Sequence, residues 1–232
     1  MCGRYSLIAK AEEIEKKFKL ESQPSISPRY NAAPTQLLPV ITNSAPRGLS
    51  FFYWGLIPAW SNNKSLSPKL INARSESLHE KATFKQALAS RRCLVPADGF
   101  YEWKQLGKKT RIPYRIVLKN SGLFSFAGLW EEYEDDQGEM VHTFTIITTE
   151  ANSAMKSIHD RMPVILPSQN EKIWLDNNLS TNDLLELLKP LPSEEIQLYT
   201  VSHLVNSVQN DSPALVKPAP PTDQKGNYTL FG

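Results

Sequence analysis

The chain opens Met1-Cys2-Gly3-Arg4-Tyr5. Removal of Met1 would leave Cys2 with a free α-amine beside a free thiol. Such a 1,2-aminothiol can attack an aldehyde twice: the amine gives an imine, and the thiol then closes a five-membered thiazolidine ring. A thiol inside the chain cannot do this. An α-amine has a pKa of about 7.7–8.0 and a thiol about 8.5, so at pH 7 roughly a tenth of the amine is unprotonated. Only a few per cent of the thiol is thiolate at that pH, so a neighbouring base would help it. A Met-Cys start alone does not establish this chemistry, and the remaining residues have to support it.

Glu102 lies among Phe100, Tyr101 and Trp103. A carboxyl beside apolar rings tends to a raised pKa and can carry protons near neutrality. The alternative is a surface Glu paired with Lys104. His159 precedes Asp160-Arg161 and is either an acid–base group or a structural His at a turn. Asn72 follows the apolar pair Leu70-Ile71, where a buried amide with a specific partner competes with a turn residue. Arg4, Arg74 and Arg161 are candidate phosphate ligands, because a guanidinium offers phosphate a two-pronged fork. Trp54 and Trp60 bracket a Gly/Pro loop; an exposed Trp there could stack on an unpaired base, worth about 1–3 kcal/mol. Core packing suits Trp54 better than Trp60. Cys93, in the apolar run Cys93-Leu94-Val95-Pro96, reads as a buried, inert thiol.

The 232 residues are enough for one substantial core, and 41% hydrophobic with 22% charged residues is ordinary for a globular chain. No apolar run approaches the ~18 residues of a membrane span. Arg4 and the Lys/Glu-rich 10–19 segment stand where a signal peptide would be apolar. Two cysteines rule out a disulfide framework and fit a reducing, cytoplasmic setting. Metal patterns, a phosphate-binding glycine loop, a dinucleotide fingerprint and a GxSxG elbow are all missing from the sequence, so no metal and no cofactor is expected. Charge is divided unevenly. Residues 1–119 carry 20 Lys+Arg against 8 Asp+Glu, and residues 120–232 carry 6 against 16. That split suggests a basic face and an anionic partner, unless the two halves mix on one surface.

To position these groups the pattern supplies mainly strands. Apolar, strand-like runs fall at 36–42, 49–54, 92–96, 112–118, 123–130, 141–148 and 196–201. Residues 10–19 predict a short amphipathic helix with Ile14 and Phe18 on one face. Residues 84–90 predict a helical turn or two. A capping box of Ser168 with Glu171 predicts a helix through Trp174, and Thr181–Lys189 predicts another, stopped by Pro190 and Pro192. Residues 24–34 are expected as a Pro-rich loop. Glu131–Glu139 is expected as a hairpin tip that turns at Asp136-Gln137-Gly138. The whole predicts an α+β fold: one domain over 1–232, a mainly antiparallel β-barrel-like core with peripheral helices, and a loop-rich tail, Asn206–Gly232, packed on it.

Six short motifs in order, MCGRY, RYNAAP, WGLIPAW, INARSE, PADGFYEWK and IHDRMP, resemble the SOS-response-associated peptidase (SRAP) family across most of the chain. The resemblance implies a basic channel that binds single-stranded DNA at an abasic site. It implies a thiazolidine between the N-terminal cysteine and the ring-opened sugar, after Met1 is removed, possibly by the domain itself. By motif, the catalytic residues would be Cys2, Asn72, Glu102 and His159. Arg4, Arg74 and Arg161 would contact DNA, with Trp60 flanking it. No heptad and no long apolar edge requires a dimer, so a monomer is expected, in the cytoplasm and at the nucleoid when DNA is damaged; whether strand cleavage of the lyase type competes stays open on the sequence. Two other functions remain open on the residues: a cysteine-type peptidase using Cys2 and His159, and a non-covalent single-strand-binding module indifferent to Cys2. A purely structural protein would leave the Met-Cys start and the charge split unexplained.

Overall fold

The computed structural model describes residues 2–23, 25–61, 70–107 and 109–229. Met1, most of the loop after Trp60 and the last three residues of the expected tail lie outside the described residues. Along the chain run β1 (Tyr5–Leu7), α1 (Ala11–Phe18), β2 (Arg29–Ala32), β3 (Leu37–Thr42), β4 (Ala45–Trp54), β5 (Asn72–Arg74), α2 (Ala82–Ser90), β6 (Arg92–Ala97), β7 (Gly99–Leu106) and β8 (Thr110–Leu118). Then come β9 (Phe124–Glu134), β10 (Met140–Glu150), β11 (Arg161–Pro163), β12 (Ile165–Leu166), α3 (Ser168–Trp174), α4 (Thr181–Glu186) and β13 (Ile196–Thr200), with short 3-10 turns between them.

Five strands close a barrel. The neighbours β10–β9, β9–β6, β6–β3 and β3–β4 are antiparallel, and β10 returns to β4 in parallel, with Thr143 opposite Tyr53 and Phe144 opposite Trp54. Strand alternation sets what faces inward: on β4, Phe52 and Trp54 are buried while Phe51 and Tyr53 are exposed. Beyond β4, the far end of β10 pairs with β5 on one side and β11 on the other. A second sheet, ordered β13-β8-β7-β1-β2, lies against the barrel. Aromatic rings join the two. Tyr5 of β1 sits 5.3 Å from Trp54 and 5.9 Å from Phe126, and Phe100 of β7 is also 5.9 Å from Phe126.

This is the α+β, barrel-cored architecture the sequence predicts, and all seven predicted strands are present, as β3, β4, β6, β8, β9, β10 and β13. The hairpin tip also forms: Asp135 Oδ1 accepts from the Gln137 and Glu139 N–H groups at 2.8 and 3.0 Å, and Gly138 takes φ +82°. Three local expectations are corrected. The Pro-rich 24–34 segment contains β2, because Arg29–Ala32 pair with β1. The helix from Ser168 is present, but Pro167 occupies the N-cap and no capping box forms. Glu171 instead accepts from Lys17 Nζ and Ser125 Oγ, both at 2.9 Å, since a buried carboxylate gains more from a cation than from a helix-end N–H. Finally, α4 ends at Glu186 rather than Lys189. Pro190 disfavours helical φ/ψ for Lys189, and the chain tightens into turns in which Leu187 N–H donates to Leu184 and Leu188 N–H to Leu185.

Candidate active site at Cys2

Cys2 lies just before β1, and three groups fix that strand. The Tyr101 N–H donates to the Arg4 carbonyl at 3.0 Å, which lays the N-terminus along β7. The Asp98 carboxylate accepts from Ser6 Oγ at 2.7 Å, from the Ile8 N–H and from Arg115 Nη2 at 2.8 Å. Asn72 Nδ2 donates to the Cys2 carbonyl at 2.8 Å. Asn72 itself is set by the parallel register of β5 on β10, opposite Ile146, and by Trp54 Nε1, which donates to the Ile71 carbonyl at 2.9 Å. Its Oδ1 is buried with no hydrogen-bond partner among the described residues.

Cys2 and Glu102 are both buried, Glu102 with only 3% of its surface exposed. The alternative of a surface glutamate paired with Lys104 therefore does not hold. Burial raises the Glu102 pKa above the usual carboxylate value, with His159 among the charges that oppose the rise. Burial also pushes the Cys2 thiol up, and the Glu102 carboxylate adds to it. Cys2, Asn72, Glu102 and His159 thus meet in one place, from the N-terminus, β5, β7 and the loop before β11. His159 follows a 3-10 turn (Met155–Ser157) and its N–H donates to the Met155 carbonyl at 2.9 Å. Its Nδ1 accepts from the Arg161 N–H at 2.9 Å and lies 2.8 Å from Asp160 Oδ1. A lone pair that accepts the main-chain N–H cannot also hold a proton for Asp160. The main-chain bond is the better defined, since the Asp160 side chain is 87% exposed, so whenever the ring is neutral its proton sits on Nε2.

Of the three arginines, Arg74 and Arg161 line one open cleft of about 1070 Å³ together with His159, Lys81 and Lys156. Arg74 is exposed and Arg161 is bound by the Glu76 carboxylate, at 2.6 and 2.9 Å. Arg4 is placed otherwise: its guanidinium donates to Asn31 Oδ1 at 2.8 Å and to the Val205 and Asn206 carbonyls at 2.7 and 3.1 Å. Trp60 is 67% exposed, whereas Trp54 is fully buried. Cys93 is buried, and burial raises its pKa. Among the described residues no group of three His, Cys, Asp or Glu could hold a metal ion, and no helix is long and apolar enough to cross a membrane.

Residues 1–208 match the family described as SOS response associated peptidase (SRAP). The chain belongs to that family. Its curated relatives include the abasic site processing protein YoqW of Bacillus subtilis (strain 168), 45% identical over 222 residues that cover 94% of this chain and 99% of the relative. The abasic site processing protein HMCES of Xenopus tropicalis is 33% identical, over 86% of this chain and 68% of its own length. A crystal structure of a Bacteroides thetaiotaomicron protein superposes with a TM-score of 0.85 at 33% identity, covering 94% of this chain and 100% of that one.

Within this SRAP fold, several residues that shape the site were not singled out by their chemistry. Asn31 is fully buried. It accepts from Arg4, and its Nδ2 donates to the Ser207 and Asn210 carbonyls at 2.9 and 2.8 Å. Asp211 Oδ1 accepts from the Tyr30 and Asn31 N–H groups, and Trp103 Nε1 donates to Asn206 Oδ1 at 2.7 Å. These bonds fasten the segment after β13 beside the SRAP N-terminus. The one available signal was a polar Asn inside the Arg29–Pro34 motif. The carbonyls its Nδ2 reaches lie more than 170 positions away, beyond the reach of any local pattern.

Proposed function

We propose that this chain binds single-stranded DNA at abasic sites and joins to it covalently through Cys2 once Met1 is gone. The observation that carries the reading is the convergence on Cys2: Asn72 on its carbonyl, Glu102 coupled to it by charge, and His159 coupled in turn to Glu102. The names of the relatives, abasic site processing proteins, support the same substrate.

An abasic sugar is largely a closed hemiacetal, so opening it needs one proton delivered to the ring oxygen and one removed from the hydroxyl on C1′. Glu102, with its raised pKa, and His159, whose Nδ1 is taken by the Arg161 N–H, divide that work. The Cys2 amine then adds to the C1′ aldehyde. Loss of water, assisted by a proton from the same pair, gives the imine. The buried thiol is held protonated, which leaves the amine as first nucleophile. When the thiol adds to C1′, its proton passes to the nitrogen and the C=N bond becomes a single bond. That step removes the electron sink that would otherwise drive β-elimination and strand cleavage, so the product shields the strand. Removal of Met1 by the same acid–base groups, as a single event, completes the reading. Arg74 and Arg161 hold phosphates, and Trp60 offers an exposed ring for a flanking base.

The test is a single-stranded oligonucleotide with one abasic site, incubated with the protein and with Cys2→Ala and resolved on a denaturing gel. A slow band that requires both Cys2 and the aldehyde is expected. A Cys2→Ala protein that still crosslinks, or a processed protein (Met1 absent by intact mass) that never does, would refute the mechanism.

A further inference from the structure

Arg161 and Arg74 reach the same cleft from the two strands that flank the end of β10. Thr148 of β10 pairs with Arg74 on β5 and with Pro163 on β11, and its carbonyl accepts from Arg161 Nη2 at 2.7 Å. The two guanidiniums are nevertheless in opposite states. Arg74 is exposed, and no hydrogen bond or ion pair holds it among the described residues. Arg161 has only 13% of its side chain exposed, and both prongs of its fork are taken by the two oxygens of Glu76. Its remaining Nη2 hydrogen goes to Thr148, and its Nε is buried without a hydrogen-bond partner among the described residues. A phosphate can therefore not take the Arg161 fork while Glu76 is there.

Glu76 is well suited to leave. Its side chain is 48% exposed, so its carboxylate can return to water, and it belongs to the short 3-10 turn Ser75–Ser77 rather than to a strand. The hydrogen bonds from Arg161 hold its carboxyl below the usual range, so it is an anion at any pH at which DNA would bind. It is also the carboxylate of the motif that supplies Arg74, two residues before it.

We propose that Glu76 is a phosphate stand-in that sets the selectivity of this cleft, rejecting strands that cannot displace it. A strand is first captured by Arg74. It gains Arg161 only if its backbone bends far enough into the cleft for a phosphate to replace the Glu76 carboxylate. An intact, stacked strand pays for that bend, whereas a strand that lacks a base does so with less loss of stacking. The proposal rests on the DNA-binding reading above and adds to it a residue that acts against binding.

The experiment measures non-covalent affinity by fluorescence anisotropy across a salt series. Its probes are an intact single strand and the same strand with a reduced, aldehyde-free abasic site, so crosslinking does not intervene. Proteins are wild type, Glu76→Gln, Arg161→Gln, the double variant and Glu150→Gln, the last removing a carboxylate from the same cleft that is not bound to Arg161. Glu76→Gln should tighten binding to the intact strand roughly 5-fold and to the abasic strand less. The slope of log affinity on log salt for the intact strand should steepen by about 0.7, the value of one more phosphate contact on a single strand. Glu76→Gln should add nothing in the Arg161→Gln background, and Glu150→Gln should leave the slope unchanged. Weaker binding by Glu76→Gln would make Glu76 a support for Arg161 and overturn the proposal. An equal gain from Glu150→Gln would do the same, by reducing the effect to general charge. If no protein in the set bound either strand, the DNA-binding reading itself would fail, a result distinct from both.

Discussion

Asn72→Leu separates a residue kept for chemistry from one kept for packing. Among the described residues the side chain makes one hydrogen bond, from Nδ2 to the Cys2 carbonyl, and its buried Oδ1 accepts from none. Losing a neutral hydrogen bond costs about 1 kcal/mol, and the stranded Cys2 carbonyl adds roughly 1–2 kcal/mol. Against this, deleting a desolvated, unpartnered acceptor recovers about 1–3 kcal/mol, and a leucine of similar size fills the space. The terms nearly cancel, so stability in urea should change by no more than about 1 kcal/mol. Crosslinking to an abasic oligonucleotide should nevertheless slow roughly 10- to 100-fold, because the empty oxygen is the acceptor poised to orient the Cys2 amine or a sugar hydroxyl. Urea titration and a single-turnover gel time course, on protein confirmed to lack Met1, read the two effects separately. A loss of more than about 3 kcal/mol would show that Asn72 is a strut whose orphan acceptor carries no strain. An unchanged crosslinking rate would remove it from the mechanism.

Glu102→Gln should slow crosslinking by about 10²-fold, as expected when a positioned acid–base group is lost. It should also raise the melting temperature. The folded-state pKa of Glu102 lies above its unfolded value, so the wild-type protein loses stability as pH rises through that interval. The advantage of the glutamine should therefore be small near pH 4 and grow toward pH 8 in thermal melts; an advantage that shrank with pH would contradict the burial argument. Asn31→Ala should cost about 3–4 kcal/mol, from two neutral hydrogen bonds and one to the Arg4 guanidinium. Amide exchange should rise first over residues 203–211. A loss below about 1 kcal/mol by chemical denaturation would mean those bonds are not coupled to the fold.

The barrel was legible because its strands are long. Phe124–Trp130 and Val141–Thr148 bury nearly every residue, and such apolar runs announce themselves. The strands that carry the site were not. β1, β5 and β11 are three residues each, too short to show alternation, and β2 lies in a segment whose prolines suggest a loop. Their form is imposed by neighbours distant in sequence, as when Asn72 takes its place opposite Ile146. The site residues were legible only as motif members. Nothing in the local pattern around Glu102 decided between a buried carboxyl and a partner for Lys104; the pairing of β7 with β1 and β8 decides it. Glu171 shows the reverse case. A correct helix was inferred from a capping pair that does not form, because Lys17, more than 150 residues away, competes for the same carboxylate.

The surroundings of Cys2 also have a bearing on the order of synthesis. Cys2 is made well before the groups that surround it: Asn72, Glu102 and His159 follow in turn, and the carbonyls that seat Arg4 come with Val205 and Asn206. At ~5–20 residues per second, some ten seconds or more separate Cys2 from Asn206. On the proposed chemistry, an aminothiol unmasked during that interval would be a bare chain end with the reactivity of free cysteine and no selectivity for a sugar aldehyde. On the proposed function, then, the site is complete only once residues as far along as Asn206 have folded back beside Cys2.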